Sequence, residues 1–278
     1  MSRIGAIFQE LKAKNEKAFI PFLTAGDPSL EITERLILEL DAKGADIIEI
    51  GIPYSDPLAD GPTIQAAAVR ALAGGTRMPD VFALVRRVRP QVKAALVLFT
   101  YVNPVFQWGI DRFFETAKEV GADGAIIPDL PIEESGEAAA AAAKHGVDLI
   151  PLLAPNSRER IAKICEEAQG FVYVVAALGV TGVRDTVSED LPQLIASVKE
   201  HTDLPVAVGF GVGRPEQAAQ IGRHADGVIV GSAIVKGIGG IADALAAGDS
   251  ALAEQKEREL IDFAASLKEP LRSAEAPL

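Results

Sequence analysis

The chain has 278 residues, 49% hydrophobic but only 5% aromatic, which supplies a large aliphatic core and argues against a base-stacking surface for nucleic acid. A net charge of -12, from 27 Lys plus Arg against 39 Asp plus Glu, repels polyanions and anionic membranes overall, although backbone amides can still capture a small phosphorylated ligand. One cysteine, Cys165, excludes an intrachain disulfide, no apolar run reaches the roughly 18 residues of a membrane span, and no signal-peptide pattern opens the chain, so a soluble cytoplasmic protein is expected.

In chain order, a helix over Arg3–Lys14 precedes the first apolar run. Strands are then expected at Ala18–Leu23, Ile47–Gly51, Ala95–Thr100, Gly124–Pro128, Asp148–Leu153, Phe171–Val175, Pro205–Gly209 and Gly227–Val230. Helical patterns intervene at Leu30–Lys43, Thr63–Ala73, Pro79–Val88, Ile110–Val120, Glu133–His145, Ser157–Glu167, Leu191–Glu200, Pro215–Arg223 and Ile241–Leu267. Alternation of about eight short runs with amphipathic ones is the pattern of a (β/α)8 TIM barrel, here with an extra N-terminal helix able to plug its bottom. No linker or composition break divides the chain, so residues 1–268 read as one barrel domain and 269–278 as a frayed tail.

Barrel chemistry sits on the loops after the strands. Those loops hold Thr24-Ala-Gly-Asp-Pro28, Gly51-Ile-Pro-Tyr-Ser-Asp56, Tyr101-Val-Asn-Pro104, Pro128-Asp-Leu-Pro131, Ala154-Pro-Asn-Ser157, Leu178-Gly-Val-Thr-Gly182, Phe210-Gly-Val-Gly213 and Gly231-Ser232. Within the second strand, Glu49 alternates in phase with Ile47 and Gly51, while Ile48 and Ile50 take the other face. A carboxyl there is costly unless protonated, paired or used, which makes Glu49 either a general acid-base group or the partner of a buried cation. No Lys or Arg stands at a neighbouring predicted strand end, which weakens the second reading.

Asp60 offers a second carboxylate in a wetter setting, though Asp before Gly-Pro is also an ordinary turn or capping residue. Asp56 reads as a turn residue, Asp27 as the start of the first barrel helix, and Asp129 as a loop-orienting or substrate-binding group. Glycines crowd the last three strand ends at Gly179, Gly182, Gly209, Gly211, Gly213 and Gly231, followed by Ser232, as in a phosphate cradle of backbone amides. Tyr173 either brings a phenol to the carboxylates or packs in the core, and Phe22, Phe99, Ile126 and Leu152 occupy upper strand positions where they wall a ligand or fill the core. With no strand-end lysine, and with His145, His201 and His224 in or beside helices, imine-forming and zinc-dependent aldol chemistry lack their groups, leaving acid-base chemistry on a phosphorylated substrate.

These residues resemble the tryptophan synthase alpha family from Phe19-Ile-Pro-Phe-Leu-Thr-Ala-Gly-Asp-Pro28 to Gly231-Ser-Ala-Ile-Val235, most specifically over Glu49-Ile-Gly-Ile-Pro-Tyr-Ser-Asp-Pro-Leu-Ala-Asp-Gly-Pro62. The resemblance implies a lyase that cleaves indole-3-glycerol phosphate to indole and glyceraldehyde 3-phosphate. It implies Glu49 as proton shuttle, Asp60 on the indole nitrogen, Tyr173 as a positioning group, and Thr181 on a loop that closes over substrate. Phe22, Phe99, Ile126 and Leu152 then contact indole, and Gly182, Gly211, Gly231 and Ser232 hold the phosphate. The chain departs from the family pattern at Ala176-Ala-Leu178. No cofactor of its own is implied; pyridoxal phosphate belongs to a beta subunit met in an αββα complex through Pro53, Asp56, Pro57, Asp129 and Pro131. A regulatory subunit with weak catalysis and a stand-alone indole-releasing lyase are the alternatives.

Overall fold

Runs of fully buried residues become strands because burial on both faces tolerates no alternation with polar groups. In the computed structural model, which describes residues 2–175, 190–209 and 211–272, the strands are β1 (Ala18–Thr24), β2 (Ile47–Gly51), β3 (Ala95–Phe99), β4 (Gly124–Ile126), β5 (Asp148–Leu149), β6 (Leu152–Leu153), β7 (Val172–Val175), β8 (Val206–Gly209) and β9 (Gly227–Val230). Every residue of β1, β2 and β9 is buried. All pairings are parallel, in the order β5-β4-β3-β2-β1-β9-β8-β7-β6.

The two ends of that order, β5 and β6, are halves of the one strand expected at Asp148–Leu153. Pro151 has no N–H to give to a ladder, so it interrupts the strand. Around it, Ile150 N–H still donates to Ala125 O at 2.9 Å and Tyr173 N–H donates to Pro151 O at 3.1 Å. The sheet therefore closes on itself as a TIM barrel through a proline.

Helices of the described residues are α1 (Arg3–Ala13), α2 (Leu30–Ala42), α3 (Pro62–Ala73), α4 (Met78–Val88), α5 (Val102–Trp108), α6 (Ile110–Val120), α7 (Gly136–His145), α8 (Ile161–Glu167), α9 (Leu191–Lys199), α10 (Pro215–Gly222), α11 (Ser232–Ala246) and α12 (Ser250–Lys268). Three departures from expectation have local causes. The long helix expected at Ile241–Leu267 is two, because Gly248 takes φ +74° and the Asp249 carboxylate caps α12 by accepting Leu252 N–H at 2.9 Å. Helix α5 was not expected; the Asp129 carboxylate, from the next barrel loop, accepts the N–H of its first residue, Val102, at 2.9 Å. The tail does not fray at residue 269: Glu269–Leu271 forms a 3-10 turn, Leu271 is fully buried, and its carbonyl accepts Lys17 N–H at 2.8 Å.

Strand alternation sorts the core into two layers. Ile48, Ile50, Leu96, Leu98, Val172, Val174, Val206 and Val208 pack outward against the helices. Ala18, Ile20, Ile47, Ala95, Val97, Ile126, Ile150, Phe171, Ala207 and Ile229, from the strands or the residues beside them, form a second cluster, which is the lumen. Ile4, Phe8 and Leu11, one stripe of α1 at helical spacing, join this inner cluster, with the Phe8 and Phe171 ring centroids 5.7 Å apart. Helix α1 thus plugs the bottom of the barrel, as its place before the first strand suggested.

Below the strands, aspartates pin the register. Asp46, Asp123 and Asp226 stand just before β2, β4 and β9 and accept N–H groups of Phe19, Leu96 and Val206 at 2.8, 2.9 and 3.0 Å. Lys268 Nζ, nearly buried, bonds Asp46 at 2.8 Å and ties α12 to the same point. Because the plug rests on Phe8, Phe8→Ala should destabilise the fold by about 3–5 kcal/mol. Urea unfolding measures this, and a loss under about 1 kcal/mol would place α1 outside the core.

Candidate active site

Register puts Glu49 of β2 beside Phe22 of β1 and Val97 of β3, on the lumen face shared with Ile47. The residue is 1% exposed, and its Oε1 has no hydrogen-bond partner among the described residues. Desolvation pushes its pKa up to about 8. At neutral pH this carboxyl holds its proton and can donate it.

Asp60 is reached from β2 through residues 52–59. It is not the cap of the following helix: Gly61 occupies that position, Pro62 starts α3, and α3 has no side-chain cap. Nor is it in a wetter setting, being 8% exposed, with a pKa raised by desolvation to about 6. The Tyr101 hydroxyl hydrogen-bonds its carboxylate and opposes that rise. Tyr101 follows β3 and is buried, its hydroxyl also accepts Ala59 N–H at 3.2 Å, and its ring lies 5.4 Å from that of Tyr54. The sequence places Tyr101 at a strand end without marking it as functional, because its adjacency to Asp60 arises only when β2 and β3 pair.

Asp27 does not begin the first barrel helix. Ser29 caps α2, while the Asp27 carboxylate is buried in a bidentate pair with Arg70 of α3, at 2.7 and 2.8 Å.

Tyr173 points into the lumen from β7, where Gly209 of β8 makes room: a Cβ there would meet the phenol oxygen at 2.7 Å. Burial, then the Glu49 and Asp60 charges, raise the Tyr173 pKa, so its hydroxyl stays a donor. Phe22 and Phe99 meet edge to face with centroids 5.4 Å apart, and a Cβ on Gly51 would strike the Phe22 ring at 2.7 Å. Ile126 and Leu152 complete an apolar wall in the same inner cluster. The lumen therefore brings one protonated carboxyl and one phenol to an apolar surface that includes two aromatic rings, with a second carboxylate at the adjoining loop.

After β8 and β9, Gly211 takes φ +63°, a conformation that favours glycine, and Gly231 leads into α11, whose first residue Ser232 is buried. Gly231 lies against Phe22 and Ile64. Thr181, Gly182 and the Ala176-Ala-Leu178 departure lie outside the described residues. Of the expected partner-facing residues, Asp56, Asp129 and Pro131 are exposed and Pro57 half-buried, but Pro53 is buried and offers no surface. Leu58 and Phe106 are 82% and 71% exposed, the two most exposed large apolar side chains among the described residues.

Residues 8–268 match the family described as tryptophan synthase alpha chain. The chain is 49% identical over 264 residues to the tryptophan synthase alpha chain of Geobacillus kaustophilus, covering 94% of this chain and 97% of that one. It is 52% identical over 238 residues to that of a Picosynechococcus species, covering 85% and 90%. Among solved structures it is similar to tryptophan synthase of Mycobacterium tuberculosis, with TM-score 0.86, 38% identity and 98% of both chains covered. It is also similar to the alpha subunit from Legionella pneumophila, with TM-score 0.83, 37% identity and 98% of both chains covered.

Burial of Glu49 carries a pH signature. Its folded pKa, about 8, lies above the 4.5 of an unburied glutamate, so the native state binds the extra proton and stability falls as pH rises from 4.5 to 8. Glu49→Gln removes this loss, and the variant should gain on the order of 3–5 kcal/mol relative to wild type between pH 4.5 and 8. Denaturant unfolding of both proteins across that range checks it; parallel pH profiles would contradict it.

Proposed function

The chain belongs to the tryptophan synthase alpha chain family, and on that premise we propose that it is the lyase that cleaves indole-3-glycerol phosphate to indole and glyceraldehyde 3-phosphate in tryptophan biosynthesis. The observation that carries the chemistry is the lumenal Glu49 carboxyl, held protonated near neutral pH beside an apolar wall. A group whose pKa lies close to the operating pH serves as both acid and base.

In this reading the indole ring lies against Phe22, Phe99, Ile126 and Leu152. Glu49 gives its proton to indole C3, which places positive charge on the ring. Asp60, with a pKa of about 6, is ionised at neutral pH, accepts the indole N–H and stabilises that charge. The Glu49 carboxylate then removes the proton of the hydroxyl next to the ring. The bond from C3 to the side chain breaks, its electrons restore the aromatic ring, and the side chain leaves as the aldehyde. Glu49 ends protonated, so the cycle closes without net proton transfer. Tyr173 positions the reacting side chain, and Thr181 contributes to substrate binding. The phosphate is held by Gly182, Gly211, Gly231 and Ser232, the last two at the start of α11.

A beta-subunit partner goes with the family. The finer proposal is an αββα complex in which the loops at residues 53–58 and 128–131 face the partner, through Asp56, Pro57, Asp129 and Pro131. Pro53, being buried, is not part of that surface. The chain needs no cofactor of its own in this scheme, and pyridoxal phosphate resides in the partner. No helix among the described residues is long and apolar enough to cross a membrane, and a cytoplasmic location fits the pathway. Residues 1–268 act as one barrel domain.

Indole release from indole-3-glycerol phosphate, with and without a beta subunit, tests the activity. Glu49→Gln should reduce turnover by at least about a thousand-fold while a phosphate-bearing ligand still binds, since it removes acid and base together. Near-normal turnover in that variant would end this reading.

A further inference from the structure

Asp60 has a built support that the proposed reaction leaves unused. Tyr101, 3% exposed, places its hydroxyl between two groups of the loop after β2: Ala59 N–H donates to it at 3.2 Å, and it hydrogen-bonds the Asp60 carboxylate. The ring packs on Tyr54 with centroids 5.4 Å apart, and the Tyr54 hydroxyl in turn accepts Asn103 Nδ2–H at 2.9 Å. Asn103 belongs to α5, whose first N–H is capped by Asp129 at 2.9 Å. The Tyr101 oxygen therefore accepts an N–H from Ala59 and directs its one proton to Asp60.

We propose that Tyr101 is the positioning residue for Asp60: its hydroxyl fixes one carboxylate oxygen and leaves the other free for an N–H of the substrate ring. The inference rests on the assignment of Asp60 to the indole nitrogen. Three physical consequences follow. A carboxylate held at one oxygen presents the other in a defined direction, which an unsupported loop side chain does not. A hydrogen bond to the ionised form favours ionisation, so Tyr101 offsets part of the desolvation that raises Asp60. Burial and the neighbouring Asp60 charge raise the phenol's own pKa well above its ordinary value, so it donates without losing its proton.

Tyr101→Phe keeps the ring and the packing on Tyr54 and removes only the hydroxyl. Full-length wild type, Tyr101→Phe, Asp60→Asn and the double variant are compared in indole release as a function of pH, and the Asp60 carboxyl is titrated by carbon NMR of protein labelled at aspartate. The resonance lost in Asp60→Asn identifies that carboxyl. Tyr101→Phe should raise the Asp60 pKa above its wild-type value of about 6, carry the acidic limb of kcat/KM upward with it, and lower kcat about ten-fold at neutral pH. The double variant should be no slower than Asp60→Asn. Replacing Tyr101 by 3-fluorotyrosine, a stronger hydrogen-bond donor, should move the Asp60 pKa and the acidic limb downward, which keeps the test open if Tyr101→Phe folds poorly.

An unmoved Asp60 pKa and acidic limb in both replacements would overturn the proposal, as would rate losses that multiply in the double variant. If Asp60→Asn turns over normally, the assignment of Asp60 fails and the positioning role falls with it. If Asp60→Asn is inactive and the Tyr101 replacements shift nothing, only the positioning role fails.

Discussion

A buried carboxyl with one oxygen unpartnered among the described residues, in a largely apolar lumen, is the constraint around which this barrel is organised. Ionised there, Glu49 would cost several kcal/mol, since burial of an unpaired charge is repaid by nothing in the apolar interior. The group keeps its proton instead, with a pKa of about 8. That state depends on dryness, and dryness depends on the fold. Ile4, Phe8 and Leu11 of α1 seal the bottom, inward-facing strand residues such as Ile20, Ile47, Val97, Ala207 and Ile229 fill the middle, and the sheet closes across Pro151 by the bonds of Ile150 and Pro151. Asp46, Asp123 and Asp226 fix the register that sets Glu49 beside Phe22 and Val97.

The two carboxyl groups differ in hydrogen bonding more than in wetness. Both are desolvated, at 1% and 8% exposure, yet Asp60 has a donor in Tyr101 and Glu49 has an unpaired oxygen. The supported group is ionised at neutral pH and the unsupported one is neutral, which separates their proposed roles as acceptor and acid. Tyr173 stands with Glu49 in the lumen, its room provided by the missing side chain of Gly209. At the mouth, the loop bearing Asp60 is linked through Tyr54 and Asn103 to α5, whose Phe106 is exposed, so the supports of the site continue to the protein surface.

Much of this arrangement was legible in the residues because strands buried on both faces write themselves as continuous apolar runs. The phase of Glu49 with Ile47 and Gly51 followed from a period of two, and the lumen face followed from the phase. What escaped depended on partners distant in sequence. Helix α5 is short, and the Asp129 carboxylate that caps it comes from the next loop. Asp60 looked like a wet turn residue because nothing near it in sequence reveals the Tyr101 roof. Asp27 looked like a cap until Arg70, 43 positions on, claimed it. The break between α11 and α12 is different, for Gly248-Asp249-Ser250 carries both a left-handed glycine and an N-cap, and only the strength of the flanking helical pattern hid it.

The central claim is that Glu49 is a neutral carboxylic acid at the pH where the protein works. Difference infrared spectroscopy of wild type against Glu49→Gln reads that directly, as the carbonyl stretch of a protonated carboxyl. The account predicts a band present at pH 7, absent from the variant, and lost on titration with a midpoint near 8. A Glu49 already ionised at pH 7, with no such band to lose, would contradict it.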